Sequence, residues 1–141
     1  MRMTEIMDIA TSGLAAQRTR MTGTASNIAN AQTTRTDGGG PYRRRDPVFS
    51  AERVAKPFAS HLDQKLRSVA VTRIAEDPRE PVTRYVPHHP DANEEGYVEF
   101  PNVNLVEEQA NLVGASRGFQ ANLTVIAKVR SMAEALMRIG Q

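Results

Sequence analysis

The sequence has 141 residues, of which 40% are apolar and 5% aromatic with no Trp, and this is a small supply for a large hydrophobic core. The absence of cysteine excludes disulfides and thiolate chemistry. The formal net charge of +2 gives no strong electrostatic indication of nucleic-acid binding. No apolar run is long enough to cross a bilayer, and the N-terminus lacks the continuous apolar segment of a cleaved signal peptide.

A first amphipathic pattern runs from Thr4 to Asn30. Two rows of residues recur at intervals of seven, the spacing of a helix that packs against another helix. Gly13 and Gly23 each weaken an isolated helix by about 1 kcal/mol, but they also allow close approach of a second helix. We therefore predict a helix that is stable mainly when packed. The first row is Met7, Leu14, Met21 and Ile28, and the offset row is Met3, Ala10, Gln17 and Thr24.

The segment that follows has the composition of turns and short strands. Residues 37–41 read Asp-Gly-Gly-Gly-Pro, which excludes a helix interior there. Short β-branched or alternating segments predict strands within residues 47–49, 68–74, 81–86 and 97–100. Pro78, Pro81, Pro87, Pro90 and Pro101 keep the strands short and divide the middle region into segments.

The strongest pattern of the chain runs from Val103 to Ile139. Its two rows keep a seven-residue spacing over about five heptads, too long to be chance periodicity. Asn104 predicts the N-cap, Glu107 completes an N-x-x-E capping box, and Gly140 predicts the end of the helix. One row is Leu105, Leu112, Phe119, Ile126 and Ala133, and the other is Glu108, Ala115, Asn122, Val129 and Leu136.

These patterns predict a mainly α protein in which long N- and C-terminal helices form an antiparallel coiled coil, with a small irregular β region inserted between them. We assign the N-terminal helix to residues 1–32, the β-rich middle region to residues 33–102 and the C-terminal helix to residues 103–141. One interpretation is a simple intramolecular hairpin. The other is that apolar residues outside the seam, such as Val106 and Val113, contact neighbouring subunits, and contacts that do not close a ring produce a helical filament.

Two motifs of catalytic or metal-binding character lack the context that their chemistry requires. Ser116 lies in a G-x-S-x-G sequence, but in the middle of a predicted helix and not at a strand-turn-helix elbow. His88 and His89 are adjacent in a proline-rich loop and point in opposite directions, so a solvated loop is favoured over a metal site. We predict no catalytic residue, no metal, no cofactor and no small-molecule substrate.

Arg43 and Arg44 belong to an arginine-rich turn that contains a single aromatic residue, Tyr42. The run is short and the net charge is nearly balanced, which argues against nucleic-acid binding. A solvated face paired with nearby acids is one alternative. The one we favour is an interface in which guanidinium groups bind Glu107 and Glu108 of a neighbouring subunit.

Three pairs of short segments in the sequence carry a family resemblance. Residues 12–18 (SGLAAQR) and 25–30 (ASNIAN) resemble the N-terminal signature of bacterial flagellar axial proteins, the rod and hook family. Residues 102–108 (NVNLVEE) and 121–122 (AN) resemble the matching C-terminal signature. Residues 33–36 (TTRT) and 39–44 (GGPYRR), together with the short middle region, are similar to a proximal rod component of that family. The resemblance covers residues 4–50 and 96–139.

The resemblance implies a structural subunit of the flagellar basal-body rod and not an enzyme. Such subunits are exported by the flagellar type III apparatus without a cleaved signal peptide, and they polymerise within the cell envelope into a hollow torque-transmitting shaft. The implied partners are other proximal and distal rod subunits, the adaptor at the rod base and the export apparatus. The protein is not expected to be an integral membrane protein. The alternatives are another secreted helical adaptor or coiled-coil interaction protein, or a different rod subunit.

We predict that intersubunit and packing contacts involve the seam residues, the polar residues of both signatures and the arginines of the turn. For two asparagines of the N-terminal signature, helix termination and amide contacts to the next subunit are both open. The predicted residues are Met7, Leu14, Met21, Ser26, Asn27, Ile28, Asn30, Arg43, Arg44, Leu105, Glu107, Glu108, Leu112, Phe119, Asn122, Ile126, Val129 and Leu136.

Overall fold

A computed structural model describes residues 3–53 and 66–139, with side chains to residue 138. Helix α1 is Met3–Ala29 and helix α2 is Leu105–Ile139. Between them lie four strands that form two antiparallel pairs, β1 with β2 and β3 with β4. This mainly α architecture, with small strand pairs between terminal helices, agrees with the prediction; the expected stop at Gly140 lies outside the described residues. The strands are β1 (Arg45–Arg53), β2 (Arg67–Glu76), β3 (Val82–Tyr85) and β4 (Tyr97–Phe100).

Helices α1 and α2 pack side by side and run in opposite directions. The order of their contacts defines the direction, because Gly13 lies against Asn122 while Asn27, further along α1, is hydrogen-bonded to Glu108, further back on α2. A methyl group on Gly13 would lie 2.9 Å from Asn122 Nδ2, which is closer than carbon and nitrogen normally approach. The glycine therefore allows the close helix contact that the sequence predicts.

Small and polar side chains line most of this helix–helix contact. Ala10 and Thr24 of the offset row of α1 are buried, whereas Met7 of the first row is 37% exposed. Leu105 and Leu136, at the two ends of the α2 seam, are also exposed. Large side chains are excluded where the backbones approach closely, so the centre of the contact falls on smaller residues than the heptad pattern suggests. The buried residues of the two helices are Ala10, Ala16, Thr24, Asn27, Glu108, Ala115 and Val129.

An asparagine lies at the end of each helix that meets the middle region. The Asn104 Oδ1 atom accepts hydrogen bonds from the N–H groups of Val106 (3.0 Å) and Glu107 (3.4 Å), which confirms the N-cap. Among the described residues no hydrogen bond joins the Glu107 carboxylate to the Asn104 N–H; this carboxylate lies instead 3.8 Å from the Arg44 guanidinium. After α1, Asn30 Nδ2 donates to a carbonyl of the last helical turn at 3.0 Å, so Asn30 is a helix-terminating residue.

The β1–β2 ribbon lies along a second face of α1. Ser12 Oγ accepts a hydrogen bond of 3.1 Å from the Val69 N–H, and the Arg20 guanidinium lies 5.9 Å from the centre of the Phe49 ring. A bulge follows Val48 and increases the local twist of the ribbon. The predicted strands at residues 47–49 and 68–74 fall inside β1 and β2. The ribbon therefore covers a face of α1 that α2 does not cover.

The β3–β4 hairpin carries the most buried aliphatic side chain outside the helices, Val98, which is 1% exposed. Its connecting loop is anchored to the turn after α1, because Thr34 Oγ1 donates to the Asp91 carboxylate at 2.7 Å. The two predicted strands at residues 81–86 and 97–100 contain β3 and β4. This anchoring attaches the hairpin to the end of the helix pair where the chain leaves α1.

Within the described part of the chain, neither helix has a stretch apolar and long enough to span a bilayer.

Candidate functional site

The polar centre of the molecule is the side-chain amide of Asn27, which is fully buried. Its Nδ2 donates to Glu108 Oε2 (3.0 Å) and to the Arg45 carbonyl (3.0 Å). Its Oδ1 accepts from the Arg45 N–H (2.9 Å) and from the Tyr42 hydroxyl (3.0 Å). An amide has two donors and an oxygen with two lone pairs, so every hydrogen-bonding position of Asn27 is used within the chain.

These four hydrogen bonds join three separate elements around one side chain. The last turn of α1 supplies Asn27, α2 supplies Glu108, and the beginning of β1 supplies the backbone of Arg45. The turn after α1 brings Tyr42 back to the same point, where its hydroxyl also lies 3.2 Å from Ser26 Oγ. We call Asn27, Tyr42, Arg44, Arg45 and Glu108 the Asn27–Glu108 clamp.

The carboxylate of Glu108 is 1% exposed and is neutralised by Arg44. Arg44 Nε and one terminal nitrogen both lie 2.7 Å from Glu108 Oε1, while Asn27 occupies Oε2. The other terminal nitrogen of Arg44 contacts Asp46. A buried carboxylate is tolerated only when it is paired and its oxygens are hydrogen-bonded, and Glu108 meets both conditions.

Opposing effects act on the Arg44 guanidinium. Burial alone lowers the pKa of Arg44, but the hydrogen bond that Arg44 donates to Glu108 and the charges of Asp46, Glu108 and Glu107 raise it, so that the net pKa lies above its ordinary value. Arg44 therefore stays charged at every physiological pH. The Glu108 carboxylate and the Tyr42 hydroxyl are buried and are already hydrogen-bonded within the chain. The role of the clamp is therefore structural: it fixes α1, α2 and β1 relative to one another.

The structure brings the predicted arginine and carboxylates together, but within one chain. The sequence favoured an interface between Arg44 and the Glu107 and Glu108 carboxylates of a neighbouring subunit. The chain instead reverses direction after α1, which places Arg44 beside the first turn of its own α2. Asn27 is likewise saturated inside the chain. Arg43, by contrast, is exposed, and an intersubunit role for it stays a prediction.

The other predicted residues are distributed along the helix pair. Leu14, Met21, Ile28, Leu112, Phe119, Asn122 and Ile126 are half-buried between α1 and its neighbours, and Val129 is buried. An intersubunit role for their exposed parts stays a prediction.

Three residues outside the predicted set of packing residues contribute to the clamp or to the contact between α1 and α2. Tyr42 and the Arg45 backbone complete the clamp, and Gln17 packs against Gly118, where an added methyl group would lie 3.1 Å from the Gln17 amide carbon. Tyr42 had one visible signal, since it is the only aromatic residue in the arginine-rich turn. The Arg45 contact is made by backbone atoms and leaves no trace in residue type.

The two discounted motifs have ordinary structural positions. Ser116 is in the middle of α2. His89 Nδ1 accepts a hydrogen bond from the Asp91 N–H at 3.1 Å, and its ring packs against Phe100. Across residues 3–53 and 66–139 no group of three or more His, Asp or Glu side chains is arranged to hold a metal ion.

Comparison with known proteins gives a consistent family. A model described as "Flagella basal body rod protein" matches residues 7–35, and one described as "Flagellar basal body rod FlgEFG protein C-terminal" matches residues 94–139. These two segments contain both halves of the Asn27–Glu108 pair.

Curated relatives match over nearly the whole chain. The flagellar basal-body rod protein FlgC of Borreliella burgdorferi is 41% identical, over 96% of this chain and 95% of the relative. FlgC of Salmonella typhimurium is 38% identical over 100% of both chains, and FlgC of Bacillus subtilis is 34% identical over 96% of both. The chain belongs to the FlgC family of flagellar basal-body rod proteins.

Proposed function

We propose that this protein is a structural subunit of the bacterial flagellar basal-body rod. The similarity to rod proteins over nearly the full length of the chain carries this proposal. The geometry supports it, because a stiff helix pair locked by a buried clamp suits a component that bears mechanical load.

The mechanism is mechanical. Subunits exported by the flagellar type III apparatus, without a cleaved signal peptide, polymerise within the cell envelope into a hollow shaft that transmits torque. In that shaft the α1–α2 pair packs as a coiled coil with the helices of its neighbours. The partners are other proximal and distal rod subunits and the adaptor at the rod base. Several large apolar side chains of α2 support such packing, because Val106 is 74% and Met137 77% exposed in the single chain.

The test is recovery of the protein in basal bodies. Basal bodies purified from the source bacterium are expected to contain the chain at its full mass of 15.5 kDa, and deletion of its gene is expected to abolish the rod and motility. Normal rods and motility after the deletion would contradict the proposal.

A further inference from the structure

Two of the three tyrosines of the chain are solvent-exposed and lie next to each other. Tyr85 is 64% and Tyr97 43% exposed, whereas Tyr42 is buried in the clamp. The rings of Tyr85 and Tyr97 pack edge to face, with 5.3 Å between their centres. We call this pair the tyrosine knob. Exposed aromatic pairs are typical anchors of protein interfaces.

The knob is held rigidly by the loop beneath it. Gly96 has φ +84° and lies under Tyr85, where a methyl group would be 2.8 Å from the ring. Asn93 Oδ1 accepts hydrogen bonds from the N–H groups of Tyr97 (2.8 Å) and Glu95 (3.1 Å). A side chain that is already fixed loses little conformational entropy when it binds.

The surroundings of the knob are acidic. Glu94, Glu95 and Glu99 are exposed beside it, while Arg35, which also borders Tyr97, is paired with Asp91 at 3.7 Å. Strand alternation places Glu99 on the same face as the two tyrosines, because consecutive side chains of a strand point to opposite faces. The knob therefore presents an aromatic centre with a negative rim.

A groove between α1 and the β1–β2 ribbon has the complementary character. Its volume is about 320 Å³, and its walls include Thr22 and Gly23 of α1 and Pro47 and Ile74 of the ribbon. Ile74 is 60% exposed, although it belongs to the face of the ribbon that is turned towards α1. The groove is thus an apolar depression that the chain leaves partly uncovered.

Two arginines border this groove. Arg18 is exposed, and among the described residues no carboxylate lies within 4 Å of its guanidinium. Arg45 is paired with Glu76 at 3.2 Å, but its side chain remains 53% exposed. An aromatic side chain with flanking carboxylates fits an apolar groove with flanking arginines, and the opposite charges select the orientation.

We infer that the tyrosine knob of one copy of this chain inserts into the Arg18–Ile74 groove of a second copy. The knob and the groove are different surfaces, so the contact is head-to-tail. After each added copy, one knob and one groove remain free for further contacts. This inference rests on the proposed function, for which it names one contact between subunits. Its occupant is a second copy because the same chain carries both complementary surfaces.

Disulfide trapping tests the contact, since the chain has no native cysteine. Full-length Thr22→Cys and Glu95→Cys proteins are purified, mixed and mildly oxidised. We expect a covalent dimer that contains both variants. The matched control replaces Glu95→Cys with Glu80→Cys, another exposed acid outside the knob. Equal dimer yields with Glu95→Cys and Glu80→Cys would overturn the inference.

Charge reversal gives a second measurement on the same proteins. Arg18→Glu and Glu95→Arg are each expected to weaken self-association about tenfold, and mixing the two variants is expected to restore it. Arg73→Glu is the control, because strand alternation puts Arg73 on the ribbon face away from Ile74. Equal weakening by Arg73→Glu, or no recovery on mixing, contradicts a specific contact. Recovery of the chain in basal bodies is scored separately, so the inference can fail while the proposed function stands.

Discussion

A buried carboxylate at a helix–helix contact is costly unless each of its oxygens is occupied. Both oxygens of Glu108 are hydrogen-bonded, one to Arg44 and the other to Asn27. Replacing such a group with a well-packed apolar residue often leaves a protein equally stable, so net stability is a weak explanation for the clamp. Its stronger effect is on geometry, because Asn27 and Glu108 meet in only one alignment of α1 and α2. The clamp therefore fixes the stagger of the two helices.

Removal of Arg44 leaves the Glu108 charge buried without its partner. We expect Arg44→Ala to lower the free energy of unfolding by about 3 kcal/mol, since breaking one side of a buried ion pair leaves the other uncompensated. Arg43→Ala, at the adjacent exposed position, should change it by less than about 0.5 kcal/mol. Urea unfolding followed by circular dichroism measures both variants. Equal effects would mean that Glu108 does not depend on Arg44.

At the scale of the helix, three glycines have different surroundings. A methyl group at Gly13 would meet Asn122 at 2.9 Å, whereas no atom lies within 4 Å of one at Gly114. We expect Gly114→Ala to raise the free energy of unfolding by about 1 kcal/mol through helix propensity. Gly13→Ala should lower it by about 1 kcal/mol, because overpacking exceeds that gain. Gly118→Ala, facing the flexible Gln17 side chain at 3.1 Å, should fall between them. Thermal unfolding of the three variants checks this order.

Asp77, the residue directly after β2, has a clearly perturbed pKa. A hydrogen-bonded Arg79 guanidinium lowers the pKa of Asp77 from 3.8 to about 2. Its ionised form therefore stabilises the folded chain fully above pH 3.8, and this contribution is lost as the pH falls towards 2. In Asp77→Asn the urea midpoint should be lower than in the native chain at pH 6, and most of this difference should be lost at pH 2. Asp37→Asn, in the exposed glycine-rich turn, is the control and should show no such convergence.

The elements were predictable from sequence because their signals are local. Heptad spacing, the Asn104 cap and the β-branched segments each depend on neighbours within a few residues, and the structure has helices and strands at those places. The clamp was only half predictable. Arg44 and the two glutamates were selected, but whether they meet within a chain or between chains depends on how the turn folds back, and that is a tertiary property. Asn27 was selected as a residue of the N-terminal signature. Its hydrogen-bond partners could not be predicted, because they too depend on how the turn folds back.

At the scale of the whole molecule, the chain leaves several large apolar side chains of α2 exposed. Val106 and Val113 are 74% and 52% exposed, although they lie in one of the two longest elements. A single chain with small buried residues cannot cover these side chains, whereas neighbouring subunits can. For this surface the sequence periodicity and the structure of the single chain agree. Both indicate that it is suited to packing against further helices.

Substitution of Val113 separates folding from assembly. Because Val113 is exposed in the single chain, Val113→Asp should change the free energy of unfolding by less than about 0.5 kcal/mol. In an assembled rod the same carboxylate would be buried without a partner, and we expect incorporation into basal bodies to fall at least about tenfold, as for a loss of 1.4 kcal/mol or more. Val113→Ala is the control, because it shortens the same side chain without introducing a charge. Immunoblots of purified basal bodies measure incorporation. Normal incorporation of Val113→Asp would show that this face of α2 remains in solvent within the rod, and the subunit contacts would then have to lie on the ribbon and hairpin.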